Sequence, residues 1–195
     1  MATRIGILGG TFDPPHIGHL LLALDAVEAL GLDQLVFVPA ARQPLKQGVP
    51  MTAAEHRLAM VRLLAAADSR FHVDDSEVTR GGLSFTIDTV RGLRTAHPDA
   101  ELFLLMGADT AATLPQWRET EALALLVQVA VAGRGDGPMP KPAGFRVQPL
   151  PSRRVDISAT EIRVRVGAGR SIRGFVPDAV ADYIAAHGLY RTTTE

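Results

Sequence analysis

Cysteine is absent from the 195-residue chain, so disulfides and thiolate metal sites are excluded outright. This absence fits a reducing compartment, and the cytoplasm is the expected location. Lysine is nearly absent. Of 20 basic residues only Lys46 and Lys141 are lysines and the rest are arginines. A chain so committed to arginine makes Lys46 a position to watch. Excess charge is missing too: the net charge is -1, with no long basic run. A protein that binds nucleic acid through its phosphates should be more basic, and no nucleic-acid partner is expected. No stretch approaches the ~18 consecutive apolar residues of a membrane span, and the short apolar run in MATRIGILGG has no cleavage-site pattern. No membrane association is expected. Aromatics are scarce, with a single tryptophan, Trp117.

What remains is an ordinary composition, 47% hydrophobic and 21% charged, enough for one domain with a sizeable core. Arg4–Leu8 reads as a buried strand running into the turn Gly9-Gly10, and His16–Leu30 as a helix stopped by Gly31. DQLVFVPA from Asp33 reads as a second strand. Thr52 with Glu55 reads as a capping box opening the next helix, and RFHVDD as a third strand. Ser84–Thr95 is helical, Glu101–Gly107 a buried strand, Leu125–Ala132 another, and Phe145–Leu150 an edge strand. Ser158–Val166 and Pro177–His187 are helical. Apolar strands alternating with helices predict an α/β fold, doubly wound, with a mostly parallel sheet, helices on both faces and a small C-terminal helical segment. Residues 1–195 are read as one domain, with the C-terminal helical part near 151–195. Ligands in such sheets sit beyond the carboxyl ends of the strands.

The chemistry gathers in two segments. In GGTFDPPHIGH, Gly9 and Gly10 close the first strand, Thr11 and Phe12 follow, and His16 and His19 lie three apart at a helix start. Residues three apart share a helix face, so both imidazoles can reach one anion beside the helix N-terminus. A metal is the other use of this spacing, but no carboxylate cluster completes a ligand set. Purely structural histidines are a further reading. In DISATEIR, Ser158 and Thr160 offer hydroxyls at a helix start, with Glu161 at the capping-box position, and Arg163 lies one turn on. The fork of arginine suits phosphate oxygens.

GGTFDPPHIGH resembles the GTFDPxHxGH signature of the nucleotidyltransferases related to class I aminoacyl-tRNA synthetases. DISATEIR is similar to their ISSTxIR signature, with Ala159 replacing a serine. The resemblance implies a Rossmann-like fold and a nucleoside triphosphate held by Gly9, Gly10, Thr11, Phe12, His16, His19, Ile157, Ser158, Thr160 and Arg163. His16 and His19 would be catalytic. LSFTIDTV resembles the SYTxDTL segment, and LLMGADTAATLPQW the GADxxxxLxxW segment, of the nicotinate mononucleotide adenylyltransferase family. This implies Gly107 and Asp109 at ATP, and Thr86 and Trp117 at the pyridine substrate, which Thr11, Phe12 and Lys46 would also approach. Where the family often has PPHK, this chain has QPLK, so Leu45 stands in place of a histidine while Lys46 is kept, which the resemblance places at ATP too, where it would neutralise phosphate. Arg134 in the Gly/Pro-rich loop is a further candidate for ATP. The implied partners are ATP and nicotinate mononucleotide, with Mg²⁺ carried on ATP and no dedicated protein metal site. A transferase of the same fold acting on the amide or another phosphate acceptor, and a silent nucleotide-binding module, are the alternatives. Oligomeric state is left open, a homo-oligomer included.

Overall fold

The computed structural model of the chain describes residues 2–46, 48, 50–133 and 140–191, the side chain of Lys46 excepted. Six strands, β1 (Arg4–Gly10), β2 (Gln34–Pro39), β3 (Phe71–Val73), β4 (Glu101–Gly107), β5 (Gln128–Ala132) and β6 (Val147–Leu150), form one sheet in the order β3-β2-β1-β4-β5-β6. Every neighbouring pair is parallel, one step further than the mostly parallel expectation. A parallel sheet must be covered on both faces, and the strand residues alternate accordingly. Leu35, Phe37, Phe103 and Leu105 face one core layer, with residues of α1 (Ile17–Leu30), α2 (Ala54–Ala65), α7 (Ala159–Gly167) and α8 (Asp178–Ala186). Ile5, Ile7, Val36, Val38, Leu102, Leu104 and Met106 face the other, with residues of α4 (Thr86–Ala96), α5 (Ala108–Ala111) and α6 (Thr120–Leu126). Among the described residues, no helix is long and apolar enough to cross a membrane.

The strand order reverses between β1 and β4, and this positions the site. The two strands are paired only from Arg4↔Glu101 to Ile7↔Leu104. Beyond that, β1 stays with β2 as far as Gly10↔Pro39, and β4 stays with β5 as far as Gly107↔Ala132. Their carboxyl ends therefore part, and a crevice opens between Gly10 and Gly107. This is the switch point at which open α/β sheets bind ligands.

Three local expectations are corrected. Thr52 does not cap α2; Ala53 takes that place without a side-chain bond. The Thr52 backbone is instead tied up, its N–H donating to Asp13 Oδ2 (3.1 Å) and its carbonyl accepting from Arg57 Nε (2.9 Å). Leu125 and Leu126 end α6 rather than begin β5. A short apolar run suits either element, and Leu125 points outward. Phe145 and Arg146 precede β6. The short helices α3 (Ser76–Arg80) and α5 fall below the length at which helical periodicity can be read.

Candidate active site

The first motif leaves β1 and immediately turns back on itself. Phe12 has a left-handed backbone (φ 51°), unusual without glycine, and its ring is buried against Phe37 and edge-on to His19, at 4.9 Å between centroids. The ring lies directly over Gly10, where an added Cβ would stand 2.9 Å from it. Phe12 is thus a wedge under His19, and only its backbone is left to face a ligand. The peptide between Asp13 and Pro14 is cis.

His16 is the N-cap of α1, in extended conformation, and its ring packs over Gly18, where a Cβ would come within 3.0 Å. The rings of His16 and His19 lie 3.8 Å apart at a 35° tilt. The backbone N–H of His16 donates to His19 Nδ1 (3.1 Å). That bond requires Nδ1 of His19 to be an acceptor, which places the proton of the neutral ring on Nε2. Burial pushes the His16 pKa down to about 4. Burial, and secondarily the charge His16 would carry, hold His19 well below the usual imidazole range. At neutral pH the pair is uncharged, two oriented hydrogen-bonding rings rather than two cations. Thr11 Oγ1 is a buried polar atom without a hydrogen-bond partner among the described residues. Such atoms are uncommon in folded proteins, and Arg4 Nε and Gln148 Nε2, away from this turn, are others.

The second motif comes to the first through Arg163. Its Nη1 donates to the carbonyl of Asp13 (2.7 Å), across 150 residues of sequence, and its Nη2 donates to Thr160 Oγ1 (3.2 Å). Ser158 caps α7, its Oγ accepting from the Glu161 N–H (3.1 Å), as the capping-box spacing predicts. Ser158 and Thr160 are exposed, and Ile157 packs partly into the core. The strap leading into α7 is fastened to α1 by Asp25, which accepts from the Arg153 N–H (2.9 Å) and pairs with its guanidinium (3.1 Å).

On the other side of the crevice, Gly107 caps α5 with open space around it, and Asp109 lies exposed in the first turn. Thr86 is the first residue of α4. The segment before it is stitched to the loop after β2: Ser84 Oγ accepts from the Ala41 N–H and the Ser84 N–H donates to the Arg42 carbonyl, both at 2.9 Å. Trp117 is half-buried, with Nε1 donating to Thr113 Oγ1 (3.0 Å). Arg118 lies 4.8 Å over the Phe85 ring and 3.9 Å from Asp88, drawing the tryptophan loop toward the start of α4. Leu45 is exposed in a single 3₁₀ turn with Lys46. The side chain of Lys46, and Arg134 altogether, lie outside the described residues. Among the described residues, no three His, Asp or Glu side chains gather in a way that could hold a metal.

Two residues escape a reading of motifs. Arg57 is 1% exposed and donates to four carbonyls: Thr11 and Ala40 at 2.7 Å, Thr52 at 2.9 Å and Ala41 at 3.0 Å. Its position was signalled by spacing, since it heads the buried stripe Arg57, Met60, Val61, Leu64 of α2. Tyr190 donates its hydroxyl to Asp13 Oδ1 (2.7 Å). No local pattern announces that bond.

An open parallel sheet with a histidine pair and a facing arginine at its switch point is the frame of a nucleotidyltransferase. The cytidylyltransferase-like family model matches residues 7–165. A relative from Gemmatimonas aurantiaca, named "probable nicotinate-nucleotide adenylyltransferase", is 52% identical over 96% of this chain and 92% of its own. One of the same name from Thermus thermophilus is 48% identical over 96% of this chain and 100% of its own. The nicotinic acid mononucleotide adenylyltransferase of Plasmodium falciparum, solved with NaAD, shares the fold at a TM-score of 0.78 and 20% identity, over 96% of this chain and 97% of that one. The chain belongs to the cytidylyltransferase-like family and, within it, to the nicotinate-nucleotide adenylyltransferases.

Proposed function

We propose that the chain transfers the adenylyl group of ATP to nicotinate mononucleotide, giving nicotinate adenine dinucleotide and pyrophosphate, a step of NAD biosynthesis. The observation that carries this reading is the meeting of the two motifs at the parted ends of β1 and β4, where Arg163 bonds to the loop that presents His16 and His19. In the reaction, a 5′-phosphate oxygen of the mononucleotide attacks the α-phosphorus of ATP in line. The bond from that phosphorus to the β-bridging oxygen breaks, and pyrophosphate leaves with the electron pair. The nucleophile is ionised at neutral pH, so no general base is needed, and catalysis rests on positioning and on stabilising developing charge.

His19 suits the second task through its Nε2–H, held in that tautomer by the His16 N–H. His16 acts beside it on the transferring phosphoryl group. The exposed hydroxyls of Ser158 and Thr160, with Arg163, hold the departing pyrophosphate. Gly9, Gly10 and Thr11 let the triphosphate approach the backbone, and Gly107 and Asp109 receive the nucleoside. Thr86 and Trp117 take the pyridine ring, the indole by stacking. Mg²⁺ enters as part of the ATP complex, which such triphosphate sites use without a protein cage. We read residues 1–195 as one catalytic domain, with α7 and α8 completing the site.

The test is product analysis. ATP with nicotinate mononucleotide should yield the dinucleotide and one pyrophosphate per turnover, and the amide should react more slowly at equal concentration. Faster turnover of the amide would overturn the substrate assignment. ATP binding without pyrophosphate release from either mononucleotide would overturn the activity.

A further inference from the structure

Asp13 is 5% exposed, yet it collects bonds from three distant parts of the chain. Oδ2 accepts from the Thr52 N–H ahead of α2, the carbonyl accepts from Arg163 of α7, and Oδ1 accepts from the hydroxyl of Tyr190, beyond α8. Tyr190 adopts a left-handed backbone (φ 61°) to deliver that hydroxyl. A non-glycine residue holds such a conformation only where its surroundings over-determine it. Its phenol is kept protonated well above the usual range, chiefly by burial. It is therefore a permanent donor.

What Asp13 holds is the base of the histidine pair. Only Pro14 and Pro15, both buried, separate it from His16. Proline fixes φ, so this link is stiff and passes displacement on instead of absorbing it. His16 in turn orients His19 through its N–H. On the other side of the same loop, Arg57 pins the carbonyl of Thr11 to those of Ala40 and Ala41. A second tie from the C-terminal part, the Ile17 N–H on the Phe175 carbonyl (2.9 Å), fixes the start of α1.

We infer that Tyr190 is a positioning residue for adenylyl transfer: its bond to Asp13 sets, through Pro14-Pro15, where the His16–His19 pair stands against the triphosphate. This rests on the transfer reaction proposed above, but not on which pyridine is the acceptor. A local loss at Tyr190 should then reach the rings and the rate, and leave nucleotide binding nearly intact.

The experiment compares Tyr190→Phe with Leu189→Ala in the full chain, well below either unfolding midpoint. Tyr190→Phe keeps the ring and removes one donor. Leu189 packs against the core with an apolar side chain that cannot bond to Asp13, so Leu189→Ala lowers stability without removing a donor. The expected result is a kcat about tenfold lower for Tyr190→Phe with KM for ATP within about twofold, and a parental kcat for Leu189→Ala. Nitrogen NMR signals of the His16 and His19 rings should move in Tyr190→Phe without any substrate present, and stay in place in Leu189→Ala. A parental kcat with unmoved ring signals in Tyr190→Phe would overturn the inference. So would an equal loss of kcat in both variants, which describes general loosening. If the parent itself turns nothing over, the proposed reaction fails, and the ring signals alone then decide whether Tyr190 positions the pair.

Discussion

The N–H of His16 and Nδ1 of His19, 3.1 Å apart, make the entry to α1 and the orientation of the second imidazole one structure. The two ring nitrogens of His19 thus have separate tasks, and amide side chains can separate them experimentally. Asn can imitate Nδ1 and Gln can imitate Nε2. His19→Ala, which loses both, should lower kcat by at least about tenfold, roughly 1.4 kcal/mol of barrier for each such step. His19→Gln should retain more activity than His19→Asn, because the donor toward phosphate matters more than the cap. Steady-state kinetics on the three variants checks this, and equal losses in the Asn and Gln variants would show that the tautomer is irrelevant.

The same burial that neutralises the pair makes the fold sensitive to mild acid. His16 has a folded pKa of about 4 against 6.5 when exposed. Between those values the unfolded chain binds more protons, so stability is fully present above pH 6.5 and falls as pH drops toward 4. For His16 alone the loss amounts to about 3 kcal/mol, and His19, lowered in the same direction, adds to it. The Asp68 carboxylate, held down to about 2 by its hydrogen bonds from Arg70, keeps its contribution above 3.8 and loses it only below, so it leaves this window clean. Urea unfolding at pH 7 and pH 5 should show the drop, and His16→Gln should flatten it.

Much of this site could be read from residue order because its chemistry is local. The turn after β1, the two histidines and the cap at Ser158 each lie within a few residues, and their spacing carries their geometry. Strands β1, β2 and β4 were legible for the same reason, through apolar runs ended by glycine or proline, whereas β3 is three residues followed by Asp74 and the starts of β5 and β6 fell later than their apolar runs. What could not be read is non-local. The Thr52-to-Glu55 spacing is a sound capping box, but a carboxylate 39 residues earlier claims the Thr52 N–H. The charge state of the histidines depends on what buries them, not on the motif. Arg57 and Tyr190 matter through carbonyls and a carboxylate supplied by other segments, and their own sequence neighbours announce none of those bonds.

Gly9 and Gly10 are adjacent but should behave oppositely. A Cβ at Gly10 would stand 2.9 Å from the Phe12 ring, the wedge under His19, whereas one at Gly9 meets nothing within 4 Å. Gly10→Ala should cost about 1–3 kcal/mol by overpacking and shift His19 with it. Gly9→Ala should leave the unfolding midpoint unchanged and raise KM for ATP, since the space it fills faces the crevice. Thermal melts with ATP kinetics distinguish the two, and an unchanged KM for Gly9→Ala would remove Gly9 from the triphosphate site.

Trp117 is half-buried against the core, with its N–H satisfied by Thr113. Trp117→Phe keeps a flat face for stacking, and Trp117→Ala removes it. The acceptor mononucleotide should show a raised KM in the Ala variant, by roughly tenfold or more, consistent with about 1–3 kcal/mol for aromatic stacking on a base. The Phe variant should fall between, and KM for ATP should change little in either. If ATP suffers as much as the acceptor, Trp117 is holding the crevice together rather than reading the pyridine.

Leu45 is 58% exposed in the turn after β2, at the position where the family often carries histidine. A large apolar side chain standing in solvent contributes little to the fold, so Leu45→His should change stability by no more than about 0.5 kcal/mol. An imidazole in the open has an ordinary pKa near 6.5 and, unlike His16 and His19, can be cationic. If this turn closes on the triphosphate, the variant should bind ATP more tightly at pH 6 than at pH 8, with a difference that fades at high salt, while the parent shows a smaller change. Calorimetric titration of ATP at the two pH values measures this. Identical pH responses in the two proteins would mean that the 44–46 turn stands away from the phosphates, and would remove Lys46 from the site along with it.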